Sequence, residues 1–266
     1  MVRGAWINSV SKDASPMFKI SVPLFLIASA TVASAESRPA PTKTIVLVHG
    51  AFANGSSWDR VAPLLEAKGY RVVSVHQPLS SLEADVAATR RAIEVAPGPV
   101  LLVGLSYGGF VITEAGTSDK VTGLVYIAAF APDNGESVND MFKGKPAPAW
   151  VKTAVVDSAG FAWLPRATVA SEFAQDLSAD EISLLTTTQA PIALKNFDDH
   201  IKVAAWRTKP SWFIRPDHDR MLDPEAQATM AKRAGAKLTT VRSSHVVMLS
   251  HPKDVAAVIL SAAKAK

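Results

Sequence analysis

The run Gly104-Leu105-Ser106-Tyr107-Gly108-Gly109 follows an apolar β-type stretch and leads into a helical one. In that context a G-x-S-x-G pattern can hold a serine hydroxyl on a tight strand-to-helix turn, where it serves as an acyl-transfer nucleophile. Such a turn leaves no room for side chains two positions before and two after the serine, here Gly104 and Gly108. Ser106 is therefore expected in a strained, accessible conformation, with the N-terminus of a helix beneath it favouring negative charge.

A serine hydroxyl is a weak nucleophile at neutral pH, so it needs a general base, and the base needs an orienting acid. His245, which follows Ser243-Ser244 just past the last strand, is the expected base. His251, ahead of Pro252 at the start of the final helix, competes for that role. His200, in Phe197-Asp198-Asp199-His200, reads as part of a solvated face rather than a metal site. The loop after residues 211–215 offers Asp217, Asp219 and Asp223 as the acid. Asp219 is preferred, because Asp223 before Pro224 suits a helix cap and Asp217 comes directly after Pro216, early for a turn toward His245. Backbone N–H groups of Ala51 and Tyr107 are the expected donors to a tetrahedral oxyanion, with Phe52 as the alternative to Ala51. His49, beside Gly50, is expected to fix that loop through a hydrogen bond.

These residues need a scaffold that gathers three distant loops. From residue 44 onward, short β-branched runs alternate with amphipathic helical stretches, the pattern of parallel strands joined by crossovers. Strands are predicted at 44–48, 71–75, 100–104, 122–128, 211–215 and 237–242, and helices at 57–67, 82–95, 107–115, 224–234 and 252–263. The continuous apolar character of the strands suits a sheet covered on both faces. The alternation stops after Pro132 and resumes at Pro210. The fold class is thus α/β, a mostly parallel sheet flanked by helices, with core segments 44–132 and 210–266 and a helical cap inserted at 133–209. The cap contains Phe142, Trp150, Phe161, Trp163, Phe173, Phe197 and Trp206 and a predicted helix at 179–188. Phe52, Trp150, Trp163, Trp206 and Val246 are the expected substrate-pocket residues.

Lys19 precedes an apolar run, Ile20 to Ala33, shorter than a membrane-spanning helix and ending in Ala33-Ser34-Ala35. This is the layout of a secretory signal peptide over residues 1–35, with cleavage expected before Glu36 and a linker at 36–43. Met17 offers an alternative start, and an uncleaved anchor or a buried helix is the competing reading of the segment. Cleavage predicts a periplasmic or secreted protein with no lasting membrane anchor.

The 266 residues contain no cysteine, which excludes disulfides, thiolate metal sites and a thiol nucleophile. The formal charge is +4, and residues 36–266 hold 25 basic against 23 acidic side chains. The basic residues are scattered rather than clustered, so nucleic-acid binding is not expected.

Together, Val46-Leu47-Val48-His49-Gly50-Ala51, the elbow sequence, Asp219-Arg220-Met221-Leu222 and Ser244-His245-Val246 resemble the α/β-hydrolase superfamily, in particular its small bacterial and plant esterase-like branch. The resemblance spans Thr44 to the C-terminus. It implies the α/β-hydrolase fold, a Ser106-Asp219-His245 triad and no cofactor or metal. Family members usually carry a histidine before the serine, where this chain has Leu105. Haloalkane dehalogenases and epoxide hydrolases of the superfamily use aspartate at the elbow. Plant hydroxynitrile lyases of this branch carry a lysine after the catalytic histidine and a threonine near the oxyanion site, where Val246 and Ala51 stand here. The expected activity is hydrolysis of a small, largely apolar carboxylic ester through an acyl-enzyme. Lactone, thioester or amide hydrolysis uses the same parts, and a ligand receptor on the same fold is the alternative of another class.

Overall fold

Every residue of the first strand, Thr44–Val48, is buried in the structure, a computed structural model that describes residue 42 and residues 44–265. The signal-peptide segment and most of the linker lie outside the described residues. In chain order the core continues with α1 (Ala62–Glu66), β2 (Arg71–Val75), α2 (Leu82–Val95), β3 (Val100–Leu105), α3 (Gly108–Ala115) and β4 (Val121–Ile127). The helix predicted over 57–67 is instead a 3-10 turn, Gly55–Trp58, followed by α1. Pro63 sits in the first turn of α1, where its missing N–H costs no helical hydrogen bond.

Between β4 and the next core strand lie α4 (Val138–Phe142), β5 (Val155–Val156), β6 (Phe161–Trp163), α5 (Arg166–Thr168), α6 (Ala179–Thr188) and β7 (Ile192–Ala193). Here the structure departs from an all-helical insertion, because β5, β6 and β7 form a three-stranded antiparallel sheet. Strands of two or three residues are too short to display alternation in sequence. The two ends of the insertion are fastened together, since Trp206 Nε1 donates to the Pro132 carbonyl at 2.7 Å and Arg207 pairs with Asp133. The core then closes with β8 (Ser211–Pro216), α7 (Pro224–Arg233), β9 (Lys237–Val241), α8 (Val247–Ser250) and α9 (Pro252–Lys264).

The main sheet has six strands in the order β2-β1-β3-β4-β8-β9, and every neighbouring pair is parallel. Strand β3 is buried throughout, whereas the edge strands β2 and β9 are partly exposed, as expected when helices cover both faces of a parallel sheet. The register does the gathering that the chemistry needs. Val48 pairs with Gly104, so the loops leaving β1 and β3 emerge side by side. Pro216 pairs with Val241, which brings the loops after β8 and β9 together at the same edge. Ligand sites of such sheets form beyond the carboxyl ends of the strands where strand order reverses, here between β1 and β3.

Candidate active site

Ser106 occupies the left-handed region with φ of 52°, a strained conformation for a residue with a side chain. Its backbone is held on both sides: its N–H donates to Ile127, and its carbonyl accepts from Gly109 and Phe130. A Cβ at Gly104 would lie 2.7 Å from the Gly108 carbonyl oxygen, and one at Gly108 would lie 2.6 Å from that of Val48. The predicted demand for two side-chain-free positions around the serine is therefore met by direct steric contact.

On the facing loop, Phe52 also has positive φ, 58°, a second strained residue that no sequence signal marked. Among the described residues, the N–H groups of Ala51, Phe52 and Tyr107 donate to no protein acceptor. All three residues are buried, and unpaired buried N–H groups are rare unless something else accepts from them. His49 lies behind this loop with Nδ1 3.0 Å from the Gly50 carbonyl oxygen, while Gln77 N–H approaches Nε2 at 3.4 Å. Burial lowers its pKa to about 4, against a partial rise from the Gly50 bond. A neutral imidazole with Nδ1–H donating fits both contacts.

Of the three acids offered by the loop after β8, Asp219 is the one beside the histidine. Its Oδ2 lies 2.7 Å from His245 Nδ1, and both side chains are almost wholly buried. Oδ1 accepts from the backbone N–H groups of Met221 and Leu222, and Gln227 Nε2 donates to Oδ2 at 2.7 Å. Gln227, on α7, carried no sequence signal, since its only distinction is full burial on a helix that otherwise reads as amphipathic. Asp223 caps α7 through the Glu225 N–H. Asp217 is a half-exposed group with His218 at 3.9 Å. His251 Nδ1 bonds to Ser250, and His200 pairs with Asp140 at the surface. Asp198 and Asp199 turn to separate partners, Asn139 and the Leu82 N–H.

Beneath the elbow, Tyr107 donates its hydroxyl to Asp85 at 3.0 Å, and Asn196 of the insertion bonds to both. Asp85 is fully buried. Burial raises its pKa to about 6, although bonds from the Leu79 N–H, Tyr107 and Asn196 offset part of the effect. This polar triangle ties core helix α2, the elbow and the insertion together.

Ser106 and His245 line one narrow cavity of about 30 Å³ with Ala51, Phe52 and Tyr107, room for roughly two or three water molecules. Trp150 also lines it and meets Phe52 edge-on at 5.6 Å. The other three expected pocket residues lie elsewhere. Trp163 and Phe161 flank the buried Ala162 on β6, so strand alternation carries their side chains away from the face that Ala162 buries. Trp206 is engaged at the base of the insertion, under Arg207 and Arg233. Val246 is fully buried in the core at the start of α8. Their places on the cavity wall are taken by Phe142, Phe173, Phe197, Met221 and Leu222. A larger cleft of about 790 Å³ lies on the other side of Phe142, Met221 and Leu222, which line both spaces.

Residues 45–258 match the Alpha/beta hydrolase family. A pyrethroid hydrolase of Sphingobium wenxiniae is 38% identical over 98 residues, covering 32% of this chain and 35% of that protein. A carbendazim hydrolyzing esterase of a Nocardioides species is 36% identical over 109 residues, 35% of this chain and 44% of that protein. The chain thus aligns with less than half the length of each of these relatives. The crystal structure of a pyrethroid hydrolase from Sphingobium faniae JZ-2 superposes with a TM-score of 0.73 over 84% of this chain and 98% of that one, at 23% identity. The parallel sheet, the strained serine elbow and the match along most of the chain agree: the protein belongs to the alpha/beta hydrolase family.

Proposed function

We propose that the protein is a serine esterase in which Ser106 is the nucleophile, His245 the general base and acid, and Asp219 the group that orients the imidazole. The observation that carries this reading is the buried 2.7 Å pair of Asp219 and His245, whose histidine lines the same cavity as Ser106. Ser106 Oγ attacks the acyl carbon while His245 Nε2 takes its proton. Asp219, bonded at Nδ1, fixes the tautomer and stabilises the imidazolium that forms. The tetrahedral oxyanion is received by the free N–H groups of Tyr107 and Ala51, preorganised by the elbow and by the His49-backed loop. Collapse of the adduct breaks the ester C–O bond as His245 returns the proton to the leaving alcohol. Water, deprotonated by the same imidazole, then releases the acid and restores Ser106.

Substrate class follows from the cavity. Its walls are aromatic and aliphatic apart from the reacting groups, which suits an apolar acyl portion. Its small volume admits a compact acyl group at Ser106, with the remainder of the molecule directed toward the larger cleft beyond Phe142. The names of the two relatives, a pyrethroid hydrolase and a carbendazim hydrolyzing esterase, support ester-type chemistry on small organic molecules. A panel of esters, lactones, thioesters and amides of matched size tests the reading. Multiple turnover of short-chain esters, abolished in Ser106→Ala, is expected. Tight binding of the panel without product would point to a receptor instead.

A further inference from the structure

Residues 171–176 of the insertion touch, one after another, the two loops that bear Asp219 and His245. The Ser171 carbonyl accepts from Arg220 Nη1 at 2.8 Å. The Phe173 ring packs on the His245 imidazole with centroids 5.4 Å apart. Gln175 Nε2 donates to the His218 carbonyl at 2.7 Å. Asp176 Oδ2 accepts from the Ser243 hydroxyl at 3.0 Å and from the Ser244 N–H at 2.9 Å. Both sequence neighbours of Asp219, and the two residues before His245, are thereby held by one six-residue run through Ser171, Gln175 and Asp176, while its Phe173 packs on the imidazole.

The local backbone explains how one short run reaches so far. Val169–Phe173 is wound as a π-helix, a wide turn that is rare and concentrated at functional sites. Ala174 then leaves the helical region, at φ −142° and ψ 40°, and Gln175 and Asp176 follow directly after it.

The two loops need such a tie to different degrees. Asp219 is anchored within its own loop by Met221 and Leu222 and from α7 by Gln227. His245 lacks an equivalent: among the described residues, its ring is hydrogen-bonded to Asp219 alone. Its approach is governed by Ser243 and Ser244, both buried; Asp176 is the partner that takes both of them, while Ser243 is also bonded to the Ser250 hydroxyl and, through its carbonyl, to the His218 N–H. Burial would raise the pKa of Asp176, but the hydrogen bonds from Ser244 and Ser243 prevail and keep it below the usual carboxylate range. An ionised acceptor makes the stronger bond to an N–H or hydroxyl.

We propose that residues 171–176 form a strap by which the insertion holds the acid and histidine loops in register, with Asp176 as a positioning residue that acts on His245 through Ser243 and Ser244. This rests on the esterase reading of Ser106, Asp219 and His245. It adds that the insertion does more than cover the serine, because releasing it at the strap loosens the base.

The test compares wild type, Asp176→Ala and Asp176→Asn in the full chain. Steady-state hydrolysis of a p-nitrophenyl butyrate probe is measured together with thermal unfolding and the low-field proton resonance of His245 Nδ1–H. Displacing a catalytic group by about 1 Å costs up to about 100-fold, so Asp176→Ala is expected to lower kcat roughly 10- to 100-fold while KM stays within about 2-fold. The resonance should broaden or vanish as the imidazole loses its fixed place. Asn retains an acceptor oxygen and should restore most of both signals. The strap is overturned if kcat and the resonance in Asp176→Ala match wild type. It is equally overturned if Ala and Asn lose activity alike, in proportion to their unfolded fraction. Should Asp176→Ala not fold, Ser243→Ala removes one of the two bonds to Asp176 and keeps the charge, with the Ser243–Ser250 bond lost alongside it; a smaller loss in the same direction that Ser250→Ala does not reproduce supports the strap, and no loss, or one that Ser250→Ala reproduces, contradicts it. A wild-type protein that turns over no ester would sink the esterase reading, while the resonance comparison would still decide the strap.

Discussion

Asp219 presents Oδ2 to His245 Nδ1 at 2.7 Å while the rest of its carboxylate is occupied by two backbone N–H groups and Gln227. It cannot rotate away without breaking those bonds. Asp219→Asn is therefore expected to lower kcat by roughly 10³- to 10⁴-fold, because an amide in that site stabilises the wrong imidazole tautomer. Asp217, half-exposed and 3.9 Å from His218, should tolerate the same change. Steady-state kinetics on the two variants decides between them, and a crippling Asp217→Asn beside a mild Asp219→Asn would reverse the assignment.

Access to Ser106 is set by the walls of its cavity. The strap pins the insertion over the acid and histidine loops, whereas Phe142 and Met221 separate the cavity beside Ser106 from the 790 Å³ cleft. Each additional methylene buried gains about 0.8 kcal/mol when space allows. Across acetyl, butyryl, octanoyl and palmitoyl esters of one alcohol, wild-type kcat/KM should peak at a short chain. Phe142→Ala should shift the peak toward octanoyl. A steady rise through palmitoyl in wild type would mean an open groove and contradict the narrow site.

The polar triangle under the elbow gives a pH signature in stability. Burial raises the pKa of Asp85 from 3.8 to about 6 in the folded protein. The folded state thus holds a proton that the unfolded chain has released, and this group's contribution to stability falls as pH rises from about 4 to about 6. Below that window both states are protonated, and above it the folded state bears a buried charge at a cost of about 3 kcal/mol. Asp85→Asn removes the titration. Relative to wild type, the variant should gain stability by up to about that amount between pH 4 and 7, whatever its offset at pH 4. Denaturant unfolding across that range checks it, and parallel pH curves for the two proteins would contradict a buried ionised Asp85.

The apolar run ahead of Ala33-Ser34-Ala35 leads to a different kind of measurement. Exported protein should begin at Glu36, as read by N-terminal sequencing. A mature chain that retains residues 20–33 would instead carry that run as an anchor.

Much of this arrangement was legible in the residue pattern, for reasons that differ by element. The core strands announce themselves because both faces are buried, so β1 and β3 are apolar without interruption. Ser106, Asp219 and His245 could be named because parallel strands deliver consecutive loops to one edge, which makes chain order informative about proximity. The cavity wall was harder. Trp163 was lost to strand alternation that a three-residue strand does not reveal, and Trp206 to an indole N–H that Pro132 satisfies. Gln227 and Asp176 left no trace, since a polar residue on a helix or loop reads as solvated until its partner from elsewhere in the chain is seen.

Esterase chemistry in this protein requires Ser106 as the nucleophile, and covalent trapping tests that role directly. The wild-type protein would be incubated with a slow-releasing ester or an alkyl phosphonate, then analysed by intact mass and peptide mapping. The account predicts a single adduct per chain, located on Ser106, absent in Ser106→Ala and formed far more slowly in His245→Ala. An adduct on another residue, or ester turnover that survives unchanged in Ser106→Ala, would contradict it.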